Sequence, residues 1–92
     1  MISRGKFKQD VTRLAEDVGV DVKEVHIRKM KRKWASCSSS GRLTFDTSLL
    51  IQPDETRLRA ILHELLHLRY PNHGRMFNVM LNTHLQKAKG ER

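Results

Sequence analysis

The sequence predicts a small α+β fold, in which a two- to three-stranded sheet packs against helices. Apolar residues recur at helical spacing near the start of the chain and twice in its second half, but alternate with polar residues in the middle. The 92 residues suffice for one hydrophobic core, and no repeat or linker divides them. We therefore expect a single domain over residues 1–92, ordered as helix, strands and two helices.

The N-terminal segment predicts an amphipathic helix over about residues 5–18. Its apolar stripe consists of Phe7, Val11, Leu14, Ala15 and Val18. Gly19 follows this stripe and is a typical helix stop. Val25 and Ile27 then alternate with polar residues, which predicts a strand that ends in a basic run.

The middle of the chain predicts two strands joined by a turn. The turn residues are the cluster Ser38 to Gly41, and the segments on either side are residues 34–37 and 43–45. We expect Trp34 to fill the core between the sheet and a helix.

The second half of the chain predicts two helices separated at Pro71. The first begins after Pro53, extends to about Arg69, and carries the stripe Leu58, Ile61, Leu62, Leu65 and Leu66. Pro71 ends it, because the residue before a proline is disfavoured in helical conformation. The last helix covers about residues 74–88, with Met76, Phe77, Met80, Leu81 and Leu85 as its expected core positions.

The charge and cysteine content limit the classes of function. The chain has 18 Lys and Arg against 10 Asp and Glu, a net charge of +8, and five of these cations lie at Arg28, Lys29, Lys31, Arg32 and Lys33. This run predicts either a nucleic-acid surface or a solvated face.

Three observations bear on the compartment of the protein. A single Cys excludes an internal disulfide. No apolar run approaches the ~20 residues that cross a bilayer, and the first residues do not resemble a signal peptide. We expect a cytoplasmic protein without a membrane partner.

The motif most informative about chemistry is H-E-x-x-H, which residues His63-Glu64-Leu65-Leu66-His67 form within the second predicted helix. Residues four apart lie about 40° apart around a helix, so both imidazoles point into the same space. Two such nitrogens can hold Zn²⁺, but a catalytic zinc needs a third protein ligand and an open position. His73, six residues past His67 and beyond the Pro71 turn, can supply that ligand.

Glu64 is the expected general base of this site. A carboxylate beside a zinc-bound water can take its proton during attack on a carbonyl and return it to the leaving group. Two alternatives stay open at this point: a structural zinc closed by Cys37, or three histidines that bind no metal. The remaining histidines, His26 and His84, are expected to be exposed or packing residues, and Cys37 to be a small packing residue.

Two segments resemble a known family. The segment WASCSSSGRLTF, residues 34–45, is similar to W-G-S-C-S-S-x-G-R-(I/L)-x-(L/F), and the segment HELLHLRYPNHGRMF, residues 63–77, is similar to H-E-L-x-H-L-x-x-P-N-H-x-x-x-F. Both patterns are those of the YgjP-like zincin metallopeptidases, a family related to SprT- and WLM-type proteases and to the minigluzincins. The resemblance covers about residues 31–88.

The resemblance implies His63, His67 and His73 as zinc ligands and Glu64 as general base. It also implies a small sheet packed on the active-site helix. Because the strand that borders a zincin cleft usually pairs with an extended substrate, it implies the segment Arg42 to Asp46 as the substrate-binding edge.

The leading hypothesis from the sequence is a zinc-dependent metallopeptidase that hydrolyses peptide bonds with a water activated by Glu64. Two alternatives from other classes remain: a nucleic-acid-binding protein that uses residues 28–33, and a zinc hydrolase that acts on a phosphorylated, non-peptide substrate.

Overall fold

The computed structural model describes residues 1–90 and confirms the α+β class. Its elements, in chain order, are helix α1 (Arg4–Val18), strands β1 (Glu24–Arg28), β2 (Ala35–Cys37) and β3 (Arg42–Asp46), a 3₁₀ helix (Thr47–Ile51), helix α2 (Asp54–His67) and helix α3 (Arg75–Gly90). The three predicted helices are present, and only the 3₁₀ helix has no counterpart in the prediction. No helix of these 90 residues is both long and apolar enough to span a membrane.

Helix α1 begins one residue before the predicted start and ends at the predicted stop, Gly19. The Ser3 side chain accepts a hydrogen bond from the Lys6 N–H at the N-terminus. Gly19 ends the helix in the left-handed conformation, at a φ of 83°, and its N–H donates to the Ala15 carbonyl. The predicted apolar stripe is buried, and the Phe7 ring packs edge-on against Phe45 of β3 with the centroids 5.0 Å apart.

The sheet has the strand order β1-β3-β2. Strands β2 and β3 form the predicted antiparallel hairpin, whereas β1 pairs with β3 in parallel. Gly41 in the hairpin turn is buried and has a φ of 96°, and its carbonyl accepts a hydrogen bond from the Lys23 N–H at the start of β1. The turn therefore joins the hairpin to β1.

Because β3 lies between two strands, the expectation that Arg42 to Asp46 forms a substrate-binding edge is wrong. Both backbone edges of this segment are already hydrogen-bonded within the sheet, and four of its five residues are buried. The free edge on the hairpin side belongs to β2 instead.

Helix α2 lies between the sheet and α3, and its apolar side chains form the centre of the core. Leu58, Ile61, Leu62, Leu65 and Leu66 are all buried, as predicted. Two other core predictions are wrong. Trp34 is 49% exposed because it precedes β2 and lies over the N-terminal half of α2, and Met76 is 55% exposed because only the stripe of α3 that starts at Phe77 turns inward.

Candidate metal centre

Helix α2 presents two histidines from one face, as the H-E-x-x-H spacing predicts. His63 and His67 are half-buried, and their ring centroids lie 4.8 Å apart. The residues that surround them in the chain, Leu62, Leu65 and Leu66, are fully buried in the core. The core therefore fixes the direction in which both imidazoles point.

The turn after α2 brings a third histidine to the same point. The helix ends at His67, and the Tyr70 N–H closes the turn by donating to the Leu66 carbonyl at 2.6 Å. His73 lies beyond Pro71 and places its Nε2 atom 2.8 Å from the Nε2 atom of His67. Three histidines predicted to act together thus converge between α2 and α3.

The donor atoms of the three histidines fit a metal ion. One ring nitrogen from each of His63, His67 and His73 lies within 4.8 Å of the others. A tetrahedral zinc with nitrogens at about 2.0–2.1 Å requires ligand atoms about 3.3 Å apart. The separation of 2.8 Å between the Nε2 atoms of His67 and His73 and the upper bound of 4.8 Å for the group lie on either side of that value.

Phe77 on the first turn of α3 supports all three histidine rings. Its centroid lies 5.3 Å from that of His63, 5.1 Å from that of His67 and 4.6 Å from that of His73. Phe77 is 2% exposed, so the histidines rest on a buried aromatic ring. The sequence predicted Phe77 as a core residue but not as a contact of the histidines. Its position four residues after His73, within the segment 63–77, could have indicated this contact.

The environment of His67 favours a neutral imidazole, which is the form that binds metals. Burial lowers the pKa of His67, and the neighbouring His63 and His73 lower it further. The Glu64 carboxylate and a hydrogen bond to the Pro71 backbone act in the opposite direction. This contact with Pro71 is a support of the kind that orients metal-binding histidines.

Glu64 lies beside the histidines and is almost completely buried, with 8% of its surface exposed. Its Oε2 atom is 3.0 Å from Nδ1 of His63. Burial, and to a smaller extent the charge of Glu64, raise the pKa of the Cys37 thiol on β2. Cys37 donates its S–H to the Ser38 carbonyl, and the metal-binding group found in residues 1–90 does not include it.

Two hollows flank the histidine group. The first, which we call the β2 hollow, is about 550 Å³ and is lined by Lys33, residues 35–39, Glu64, His67, Leu68 and Pro71. The second, the Trp34 hollow, is about 430 Å³ and is lined by Trp34, Glu55, Thr56, Arg59, Ala60 and His63. The β2 hollow lies between β2 and α2, the Trp34 hollow lies along the N-terminal half of α2, and the two hollows together are called the cleft.

Hydrogen bonds at both ends of the hairpin define which backbone groups of β2 are free. The Asp46 N–H donates to the Trp34 carbonyl at 2.7 Å, and the Ser38 N–H donates to the Arg42 carbonyl at 2.9 Å. In an antiparallel pair, hydrogen-bonded residues alternate with residues that form no bonds to the partner strand. Ser36, which lies between Trp34 and Ser38, is therefore also a position whose backbone groups face β3, opposite Thr44.

Ala35 and Cys37 lie at the intervening positions, opposite Phe45 and Leu43. Their N–H and C=O groups consequently point away from β3, towards the free edge of the sheet. This edge borders the β2 hollow, which also contains Glu64 and His67. The sequence did not predict it, because the pairing of β1 with β3 decides which strand is outermost.

The other candidate residues lie outside the histidine group. His26 is exposed on β1 and pairs with Glu24 at 3.3 Å. His84 lies on α3, where burial lowers its pKa, the charge of Asp17 on α1 opposes this, and the charges of Lys87 and Arg69 add to it. The basic residues at 28, 29, 31, 32 and 33 are exposed, but only Lys33 lines the cleft, so nucleic-acid binding by this run stays a prediction.

Comparisons with known proteins agree with this geometry. A family model described as the YgjP-like metallopeptidase domain matches residues 3–92. No curated protein matches the chain. Among solved structures, the metallopeptidase zymogen of Pyrococcus abyssi abylysin superimposes with a TM-score of 0.72 at 24% sequence identity, covering 82% of this chain and 75% of that chain. This likeness is one of fold.

Proposed function

The chain belongs to the YgjP-like metallopeptidase family, and from this premise we propose that it hydrolyses peptide bonds with a zinc ion held by His63, His67 and His73. Glu64 is the general base in this proposal. The observation that carries it is the convergence of three histidine nitrogens within 4.8 Å beside a buried carboxylate. Family membership favours a peptide over a phosphorylated non-peptide substrate.

The donor set supports zinc as the metal of this metallopeptidase. Three imidazole nitrogens form one of the ligand sets found in catalytic zinc sites, which leave a further position for water or substrate. Zinc, when bound, polarises the peptide carbonyl and lowers the pKa of a water molecule. The contact from Nδ1 of His63 to Glu64 leaves its Nε2 atom as the available ligand.

Glu64 has the position required to move the proton. Its Oε2 atom is held by His63, and the side chain lines the β2 hollow, so a carboxylate oxygen can accept a proton from water in the cleft. The water oxygen attacks the carbonyl carbon, Glu64 takes the proton, and the carboxylic acid then donates it to the nitrogen of the leaving amine as the C–N bond breaks.

The free edge of β2 is the proposed docking site for the substrate backbone. An extended peptide can add to a sheet edge as a further strand, and the outward N–H and C=O groups of Ala35 and Cys37 supply the hydrogen bonds. This places the scissile bond in the cleft between the strand and Glu64. The proposal transfers the substrate-binding role from Arg42 to Asp46, which are paired on both sides, to β2.

Two variants test this function. We expect elemental analysis to find about one zinc per wild-type chain, zinc to be lost in His67→Ala, and zinc to be retained in Glu64→Gln. Glu64→Gln should lower kcat by roughly 10²–10⁴-fold, the usual contribution of a general base. Glu16→Gln, an equivalent change on the exposed face of α1, is the matched control. Wild-type turnover in the zinc-loaded Glu64→Gln variant would contradict the assignment.

A further inference from the structure

The Trp34 hollow carries a positive charge that the metal site does not use. Arg59 lines it from α2 and is exposed. Within residues 1–90, no carboxylate forms an ion pair with Arg59, and no hydrogen bond engages its guanidinium. The five N–H donors of this group are therefore directed only to solvent.

The carboxylate that lines this hollow beside Arg59 is engaged elsewhere. Glu55 lies four residues earlier on α2, a spacing that commonly gives an ion pair with arginine, but its Oε1 atom accepts a hydrogen bond from Nζ of Lys89 on α3 at 3.1 Å. The hollow thus has an arginine whose guanidinium is not paired with the carboxylate in its own lining.

The rest of the hollow is lined by an aromatic ring, a methyl group, a hydroxyl and an imidazole, from Trp34, Ala60, Thr56 and His63. Trp34 is 49% exposed and forms one wall, and His63 follows Arg59 by four residues on the same face of α2. Lys33, the residue before Trp34, lines the adjoining β2 hollow and adds a second exposed cation. An aromatic wall beside a free guanidinium suits a ligand with a short aliphatic stem and a carboxylate end.

We propose that the Trp34 hollow is a specificity subsite for a carboxylate of the peptide substrate, with Arg59 as the residue that binds it. This inference rests on the proposed peptidase function and names its substrate class. The carboxylate belongs either to an Asp or Glu side chain next to the scissile bond or to the C-terminus of the peptide. Arginine binds both in the same way, through two parallel N–H···O hydrogen bonds.

The test uses the fluorescence of Trp34, the only tryptophan of the chain, so it requires no turnover. The full-length Glu64→Gln protein, with added zinc, is titrated with octapeptides that are acetylated and amidated at their ends and differ only in a central Glu, Gln or Lys. A fourth peptide has central Gln and a free C-terminal carboxylate, which separates the two sources. We expect the preferred carboxylate peptide to bind about fivefold more tightly than the amidated Gln peptide, as for a solvent-accessible, charge-assisted pair.

Substitution of Arg59 should change this preference in a defined direction. Arg59→Gln removes the difference between the carboxylate and Gln peptides, and Arg59→Glu makes the Lys peptide the tightest ligand. Arg13→Glu, the same charge change on the exposed face of α1, leaves the preference as it was. Because Arg59 is exposed, these variants should fold, which circular dichroism verifies.

Three results would overturn the inference: equal affinities for all four peptides in the parent protein, an unchanged preference in Arg59→Glu, or no fluorescence response to any peptide at millimolar concentration. Failure of the peptidase function has a different signature. The zinc-loaded wild-type protein would then leave the peptides intact, whereas the Arg59-dependent preference in binding would persist.

Discussion

The two walls of the cleft differ in how the chain forms them. The metal wall comes from one contiguous segment, residues 63–77, in which a helix, a proline turn and the start of α3 bring three histidines together over Phe77. The opposite wall, β2, owes its position to the pairing of β3 with two other strands. The proposed metal chemistry therefore depends on short-range geometry, whereas the proposed substrate edge depends on long-range contacts.

The largest effect expected from breaking the metal wall is that of Phe77→Ala. Loss of a buried aromatic ring destabilises a core by about 3–5 kcal/mol, and the three histidine rings lose their common support. We expect a large drop in the free energy of unfolding, measured in urea, together with weaker zinc binding in the folded fraction. Met76→Ala, at the neighbouring but exposed position, should change stability by less than about 0.5 kcal/mol. Equal losses in the two variants would contradict this picture.

The proposed role of β2 in substrate binding is tested by proline at two adjacent positions of this strand. Ala35→Pro removes an N–H that points to the free edge, so we expect the protein to fold and KM for peptides to rise about fivefold, the equivalent of one lost hydrogen bond of about 1 kcal/mol. Ser36→Pro removes an N–H on the side of β3 and should lower the thermal midpoint instead. If Ala35→Pro left KM unchanged, the free edge of β2 would not be the docking site.

The smallest expected effect concerns the segment that leads into β2. Asp46 accepts hydrogen bonds from the N–H of Met30 at 2.6 Å and from the N–H and hydroxyl of Ser48. The bonds from the Ser48 side chain, then those from the Met30 and Ser48 backbone, lower the pKa of Asp46. The ionised carboxylate thus links the basic segment to the end of β3.

Because the folded-state pKa is lowered, this stabilisation is complete above the unfolded pKa of about 3.9 and is lost as the pH falls through the folded value. Thermal melts of the wild type and Asp46→Asn should therefore differ most at neutral pH and converge below about pH 4. A constant difference across the acidic range would assign the effect to packing and not to the charge.

The elements that could be predicted from the sequence are those with local signals. The end of α1 at Gly19, the hairpin turn at Gly41 and the convergence of His63, His67 and His73 all follow from spacing within one segment. The assignment of ligands and base to the histidines and Glu64 remains a proposal, but the geometry on which it rests was predictable.

The errors concern residues whose burial is decided by distant parts of the chain. Trp34 is apolar and next to a strand, yet it is half exposed because the fold places a hollow and not a helix face against it. Residues 42–46 became a central strand because β1 joins them in parallel, and parallel pairing leaves no mark in a short sequence window. No sequence pattern indicated that Arg59 lacks an ion-pair partner, because Glu55, four residues earlier, is bound by Lys89 of the distant helix α3.

The contact between the Gly41 carbonyl and the Lys23 N–H has a consequence for the order of folding. The hairpin of β2 and β3 closes over a short loop and can form within about 1–10 μs, whereas β1 must close a longer loop before it can pair. Since the hairpin turn itself supplies the acceptor at the start of β1, the turn is a natural part of the folding nucleus. Strain introduced at Gly41 would then slow folding more than it accelerates unfolding.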